Sequence, residues 1–193
     1  MATNDSSALP TGNGNFLTRY WYDRSPVLRF LLAFVACVIV FYIVYYSDFY
    51  INHLSTPILA FQAKLSSGLL NLIGYGTSTA GETIRNDIFS VNIAKGCDGI
   101  EATALFIFAI LVFPIAFKRK VPGLLAGIGV LFVVNIFRIA GLFLIGIHWN
   151  EAFDFMHLHG GLVMFTIAAV FLWIVWADWA LKKERQAATV PSA

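Results

Sequence analysis

The sequence predicts an all-α integral membrane protein: about four transmembrane helices, one amphipathic helix at the outer face, and a small outer loop or hairpin. Three observations carry this. The 193 residues are 59% hydrophobic and only 12% charged, with mean hydropathy +0.75, whereas soluble domains are about 25% charged. Four apolar runs approach the roughly 20 residues that a helix needs to cross a bilayer. Positive charge is gathered into short clusters, and the net charge is only +2, so nothing suggests a nucleic-acid partner.

The elements follow in order. Residues 1–26 begin "MATNDSSALPTGNGNF", a polar stretch expected to be a flexible cytoplasmic N-terminus. It lacks the charged start and short apolar core of a cleaved signal peptide, so the first apolar run, 27–46, is expected to stay as an anchor. Cys37 lies inside that run and reads as a packing residue. Residues 54–73 contain Gln62, Lys64, Ser66, Ser67 and Asn71, too many polar groups for a lipid-exposed span. Leu54, Ile58, Phe61, Leu65, Leu69 and Leu72 recur at three- and four-residue spacing. That pattern predicts an amphipathic helix lying on or partly in the membrane. In "ETIRNDIFSVNIA", Ile84, Ile88, Val91 and Ile93 stand among polar residues around the turn signal Asn86-Asp87. A small two-stranded hairpin or extended loop is expected there. Three further spans are expected over 100–117, 124–147 and 160–181, followed by a cytoplasmic basic tail, 182–193. No linker composition and no repeat divides residues 27–181, which read as one membrane-embedded domain.

The basic clusters orient the chain. Arg19, Arg24 and Arg29 precede the first span, Lys118, Arg119 and Lys120 join the second to the third, and Lys182, Lys183 and Arg185 follow the last. Placing all three in the cytoplasm satisfies the positive-inside rule. Both termini are then inside, and residues 47–99 begin and end outside.

Within the spans some residues are costly. "LLAGIGVLFVVNIFRIAGLFLIGI" holds Asn135 and Arg138, three residues apart and on one helix face. Arginine keeps its charge, and an ionisable residue in a span marks a functional site by default. The structural alternative is a pair between Arg138 and Glu101 that only holds helices together, making the chain a non-catalytic binding or assembly subunit. Arg138 lies fourteen residues beyond Leu124, about 21 Å along a helix in a core of about 30 Å. It therefore sits in the outer half. Cys97 precedes the second span at that face, and His157 and His159 open the last. His157, Gly161 and Phe165 recur at spacing four and stack on one face, while His159 points about 200° away from His157. Asp154 stands one turn before His157. His148 reads as interfacial. A lone thiol with histidine elsewhere is a nucleophile candidate. With one cysteine in the region and no C-x-x-C-H motif, neither metal nor cofactor is expected.

"AKGCDGIEA", "NIFRIAG" and "HLHGGLVMF" resemble the three motifs of the exosortase/archaeosortase family, multi-pass membrane enzymes of transpeptidase-like sorting. Cys97-Asp98-Gly99-Ile100 matches the first, Asn135 and Arg138 the second, and His157, Gly161 and Phe165 the third. The short chain resembles the compact bacterial subfamilies, exosortase H among them. The resemblance implies a bacterial cytoplasmic (inner) membrane protein with its site on the outer, periplasmic side. It implies protein substrates whose C-terminal sorting signals (PEP-CTERM-like) combine a short motif, a transmembrane helix and a basic cluster. The acceptor stays open. Asp98 departs from the serine or alanine expected after the cysteine, and His159 offers a second imidazole beside His157.

The chemistry of these side chains suits that implication. A thiol nucleophile, Cys97, needs a base to take its proton, here His157. A fixed cation, Arg138, can stabilise an oxyanion in a water-poor site. Asn135 would orient Arg138 or the substrate, and Asp154 could orient His157. Gly96 and Gly99 leave backbone room beside the thiol for an extended peptide. Asp98 opposes a thiolate unless Arg138 or Lys95 offsets it, and Glu101 is placed to pair with Arg138 in either a structural or a catalytic role.

Overall fold

The first described helix starts at Ser25 and Pro26 for reasons that are local. The Ser25 hydroxyl accepts the N–H of Leu28 at 3.3 Å, and proline at the first helical position has no N–H left to orphan. The computed structural model describes residues 25–189; most of the expected N-terminal segment and the end of the basic tail lie outside the described residues. Helix α1 spans Pro26–Tyr45. Leu31, Ile39 and Ile43 are exposed along it, as suits a helix solvated by lipid rather than by protein. It leans on α3 (Ile100–Val112) through edge-to-face contacts of Phe41 with Phe108 and Phe30 with Phe113.

Among the described residues, three helical runs are long and apolar enough to cross a membrane: Pro26–Tyr45, Phe117–His148 and Asn150–Ala187. The chain is an integral membrane protein, mostly helical. The expected span 100–117 is shorter as a helix, because α3 has 13 residues, about 20 Å of rise. Pro114 stops it by forcing its predecessor Phe113 out of the helical region, to φ −60°, ψ 132°. Helix α4, Phe117–His148, begins earlier than expected and takes in the basic cluster. Lys120 Nζ donates to the Leu111 carbonyl, covering one of the acceptors that the end of α3 leaves open. Helix α5 (Asn150–Phe155), a π-helical turn (Met156–Gly160) and α6 (Gly161–Thr189) make the last run. Residues 182–189 continue α6.

The expected amphipathic helix over 54–73 is present. A π-helical turn, Tyr50–Ser55, leads into α2, Thr56–Leu72. The helix is amphipathic, but its polar stripe faces inward. Gln62, Ser66 and Ser67 are buried, and Phe61, Leu65 and Leu72 are exposed. In lipid the apolar face has no reason to hide, while polar groups must find partners within the protein. Ser66 donates to the Ile136 carbonyl of α4 at 3.4 Å, and Ala63, Ser66 and Ser67 are small enough to let the two helices approach. Helix α2 packs into the bundle through this polar stripe.

The expected hairpin is present and has gained a strand. β1 (Ser78–Ala80), β2 (Thr83–Arg85) and β3 (Ser90–Asn92) form an antiparallel sheet in that order. Asn86 makes the β2–β3 turn, its Oδ1 accepting the N–H groups of Ile88 and Phe89. Thr77, just before β1, is bonded to Ser67 and Asn71 of α2, so the inward polar stripe also anchors the sheet. Ile84 and Ile93 join Leu59, Leu70 and Phe143 in one core cluster, which includes Cys97. A second cluster, with Phe106, Leu131, Phe165 and Trp176, fills the bundle of α3, α4 and α6. The site lies where the two meet.

Candidate active site

The loop from β3 to α3 ends in a tight turn, with the Cys97 N–H on the Ala94 carbonyl at 3.0 Å. Gly99 then adopts φ 70°, a left-handed conformation in which a side chain is strained. There is also no space for one: a Cβ would lie 2.9 Å from the Phe165 ring and 3.0 Å from the Asn135 side chain. Asp98 Oδ1 accepts the N–H of Ile100, the first residue of α3, at 3.1 Å. This gives the unexpected aspartate a local task, since the first N–H groups of a helix lack partners.

Cys97, Arg138 and His157 come together. Cys97 Sγ lies 3.6 Å from His157 Nδ1 and 3.5 Å from Nε2. Arg138 Nη2 approaches the same sulfur at 3.9 Å, and Nη1 donates to the Cys97 carbonyl at 3.4 Å. His157 stacks on Phe153 with centroids 5.7 Å apart and planes 9° from parallel, which fixes the ring plane beside the thiol. Gly161 is buried against Arg138, and a Cβ there would fall on the guanidinium. The third motif thus reads residue by residue: His157 meets the sulfur, Gly161 makes room for the arginine, and Phe165 closes over Gly99.

His159 is exposed and stacks on Phe155, away from the sulfur. Asp154 is exposed too, and among the described residues it makes no hydrogen bond to His157; Phe153 does the orienting. His148 accepts or shares the Tyr75 hydroxyl proton at 2.8 Å near the sheet. The expected Arg138–Glu101 pair does not form among the described residues. Glu101 instead occupies the first turn of α3, where the helix dipole favours a negative charge. Asn135 does not bond Arg138 either. Its Nδ2 donates to Gln62 Oε1 at 3.3 Å, and its Oδ1 is buried without a donor.

Electrostatics at the sulfur are balanced between opposing groups. Burial pushes the Cys97 thiol up, the Arg138 guanidinium pulls it down, and Asp98 pushes it up again. Burial also raises Asp98 above the usual carboxylate range, against the N–H of Ile100 that pulls it down, while Glu101 pushes it up and the Tyr45 hydroxyl pulls it down. Lys95 does not offset Asp98 by direct pairing. Its ammonium lies over the Tyr45 and Tyr46 rings, 4.5 and 4.4 Å from their centroids.

Two site residues escape a reading of the sequence. Gln62 Nε2 donates to the Asp98 carbonyl at 2.9 Å, and with its bond from Asn135 it ties the cysteine loop to α4. Tyr45 donates to Asp98 Oδ2 at 3.4 Å. The available signal for Gln62 was the rule that polar residues at membrane depth face the bundle interior.

A family model described as transmembrane exosortase (Exosortase_EpsH) matches residues 24–174, a stretch that holds all the residues of this cluster. No curated protein and no solved structure matches the chain.

Proposed function

The chain belongs to the transmembrane exosortase family, and from that premise we propose that it is a membrane-embedded cysteine endopeptidase of the transpeptidase-like sorting type. Its substrates are proteins with a C-terminal short motif, apolar helix and basic cluster, cut at the outer face of a bacterial inner membrane. The observation that carries the reading is the approach of His157 and Arg138 to one sulfur, at 3.5 and 3.9 Å. The three basic clusters support the orientation: with them inside, Cys97 lies outside.

In this reading the resting thiol keeps its proton, because burial holds it up. His157 takes that proton as Cys97 Sγ attacks the scissile carbonyl carbon. The C–S bond forms and the carbonyl electrons move onto oxygen, beside the Arg138 guanidinium. Collapse breaks the C–N bond, and His157 returns its proton to the leaving amine. The remaining thioester is attacked by an amine acceptor or by water, which passes a proton through His157 back to the Cys97 sulfur.

The test is processing of a tail-bearing substrate in cells or liposomes that contain the full chain. Cys97→Ala and His157→Ala abolish processing, while His159→Ala retains it. Wild-type processing by Cys97→Ala overturns the assignment. Mass analysis of the product separates transfer from hydrolysis.

A further inference from the structure

Beside the cysteine loop is an open cleft of about 400 Å3, walled by Phe41 of α1, Ile58 and Gln62 of α2, Ile107 of α3, and Ile128 and Asn135 of α4. Its composition changes along its length. Asn135 and Gln62 lie at the cysteine end, where Asp98 also lines it. Ile128, seven residues from Asn135 and so about 10 Å along α4, lies in the apolar part. The spanning stretch of α1 has no buried residue, so this wall is a lipid-solvated helix and the cleft faces the bilayer sideways.

The cysteine end has an acceptor to spare. Asn135 is 1% exposed, yet its Oδ1 has no donor, and a buried acceptor without a partner is costly. What complements an apolar slot with an unpaired acceptor at its top is the start of an apolar helix. Its first four N–H groups lack partners, its N-terminus carries about half a positive charge, and in hydrocarbon those N–H groups cannot turn to water.

We propose that this cleft seats the N-terminal turns of an apolar helix carried by the substrate, with Asn135 Oδ1 accepting a backbone N–H from its first turn. The inference rests on the sorting-enzyme reading and names where the substrate's membrane segment sits. The end of the first turn enters the cleft at Asn135, and below it only the side chains of one face do; the rest of a cylinder of 10–12 Å stays outside. Asn135 touches Gly99, two residues from Cys97, so a helix starting at Asn135 presents the peptide just before it to the sulfur. Gln62 then has a second task, because its bond to Asn135 Nδ2 turns the amide so that Oδ1 stays available.

The experiment places p-benzoylphenylalanine at position 107 or 128 in the full-length Cys97→Ser chain in nanodiscs, with a synthetic tail peptide containing the apolar helix. Control positions are Met164 and Val170, which line two other lipid-facing grooves. Photoadducts from 107 and 128 in excess of both controls support the cleft; adducts mainly from 164 or 170 overturn it. In an otherwise wild-type chain, Ile128→Trp fills the slot and lowers kcat/KM for the tail about tenfold, a change of about 1.4 kcal/mol, with the rate of Cys97 alkylation unchanged. Processing by Ile128→Trp at the wild-type rate also overturns the proposal. Adducts at 107 and 128 with no cleavage by the wild-type chain keep the cleft and sink the peptidase reading instead.

Discussion

Where α4 begins, two of its cations have partners: Arg119 pairs with Glu184, and Lys120 donates to the Leu111 carbonyl. Nearby on α6, Lys182 pairs with Asp178. About five turns away on the same α4, Arg138 is 8% exposed and meets no carboxylate within bridging distance among the described residues. Its hydrogens go to a carbonyl and a sulfur, and Nε is left without a partner. The two arginines share a helix and differ in use. At the first end charge fastens helix ends together. At the second, a buried cation is held by close packing without a carboxylate partner, and in the mechanism proposed above its field acts on the charge that develops at Cys97.

The comparison breaks most sharply at Arg138. Arg138→Gln removes the cation and keeps polar volume. Processing is expected to fall by about 10²–10³-fold, the range seen when an oxyanion donor is lost, while the yield of folded protein in detergent stays near wild type. If yield collapses and the specific activity of the surviving protein is normal, the arginine is structural and the contrast between the two ends disappears.

Gly161→Ala tests how Arg138 is held. The added Cβ would meet only the far end of the arginine, which can swing aside, and alanine improves helix propensity by about 1 kcal/mol. Stability is therefore kept or raised while the guanidinium shifts from the sulfur. A misplacement of about 1 Å costs up to about 100-fold in rate, so activity falls and thermal stability does not. Equal loss of both would mean that Gly161 serves packing alone.

The convergence of Cys97, Arg138 and His157 was legible because two physical constraints agreed. Charge clusters set which ends of the spans share a face, and costly intramembrane residues point to a site. Spacing four in His157, Gly161 and Phe165 was enough to put them on one face even across a π-helical turn. The direction of α2 was not legible. Periodicity reports that a helix has two faces, and says nothing of which face meets protein. The bonds of Ser66 to Ile136 and Gln62 to Asp98 decide it, and those partners are 70 and 36 residues away in the chain. A different cause hid β1: its Ser-Thr-Ala lacks apolar alternation, and it is a strand only through pairing with its neighbour β2. Glu101 misled because a lone carboxylate near a buried arginine invites pairing. The helix start that it occupies offers a competing partner already in place.

The thiol itself sharpens the contrast by pH. Its proton is held by burial and by Asp98, and loosened by Arg138. A raised thiol value means less thiolate at neutral pH than an ordinary cysteine shows, so alkylation speeds up only as pH climbs past the usual cysteine range. Asp98→Asn removes a raising charge and moves the alkylation profile to lower pH. Arg138→Gln removes the lowering charge and moves it to higher pH. Opposite displacements from the two variants are the expected result. Coincident profiles would show that neither charge reaches the sulfur.

The smallest effect belongs to the other end of the bundle. Arg119→Gln breaks the pair with Glu184, whose side chain is about half exposed. Such pairs contribute about 1 kcal/mol or less and weaken in salt. The arginine's backbone carbonyl still accepts the Trp176 indole N–H at 3.0 Å, and Trp176 stays packed against Phe113, so the junction of α3, α4 and α6 keeps its apolar contacts. A melting curve in detergent should shift by a few degrees at most, and less at high salt, with substrate processing unchanged. A loss of activity here as large as that of Arg138→Gln would show that the two arginines are not divided between fastening and chemistry, because a fastening at the basic end would then govern the sulfur at the other.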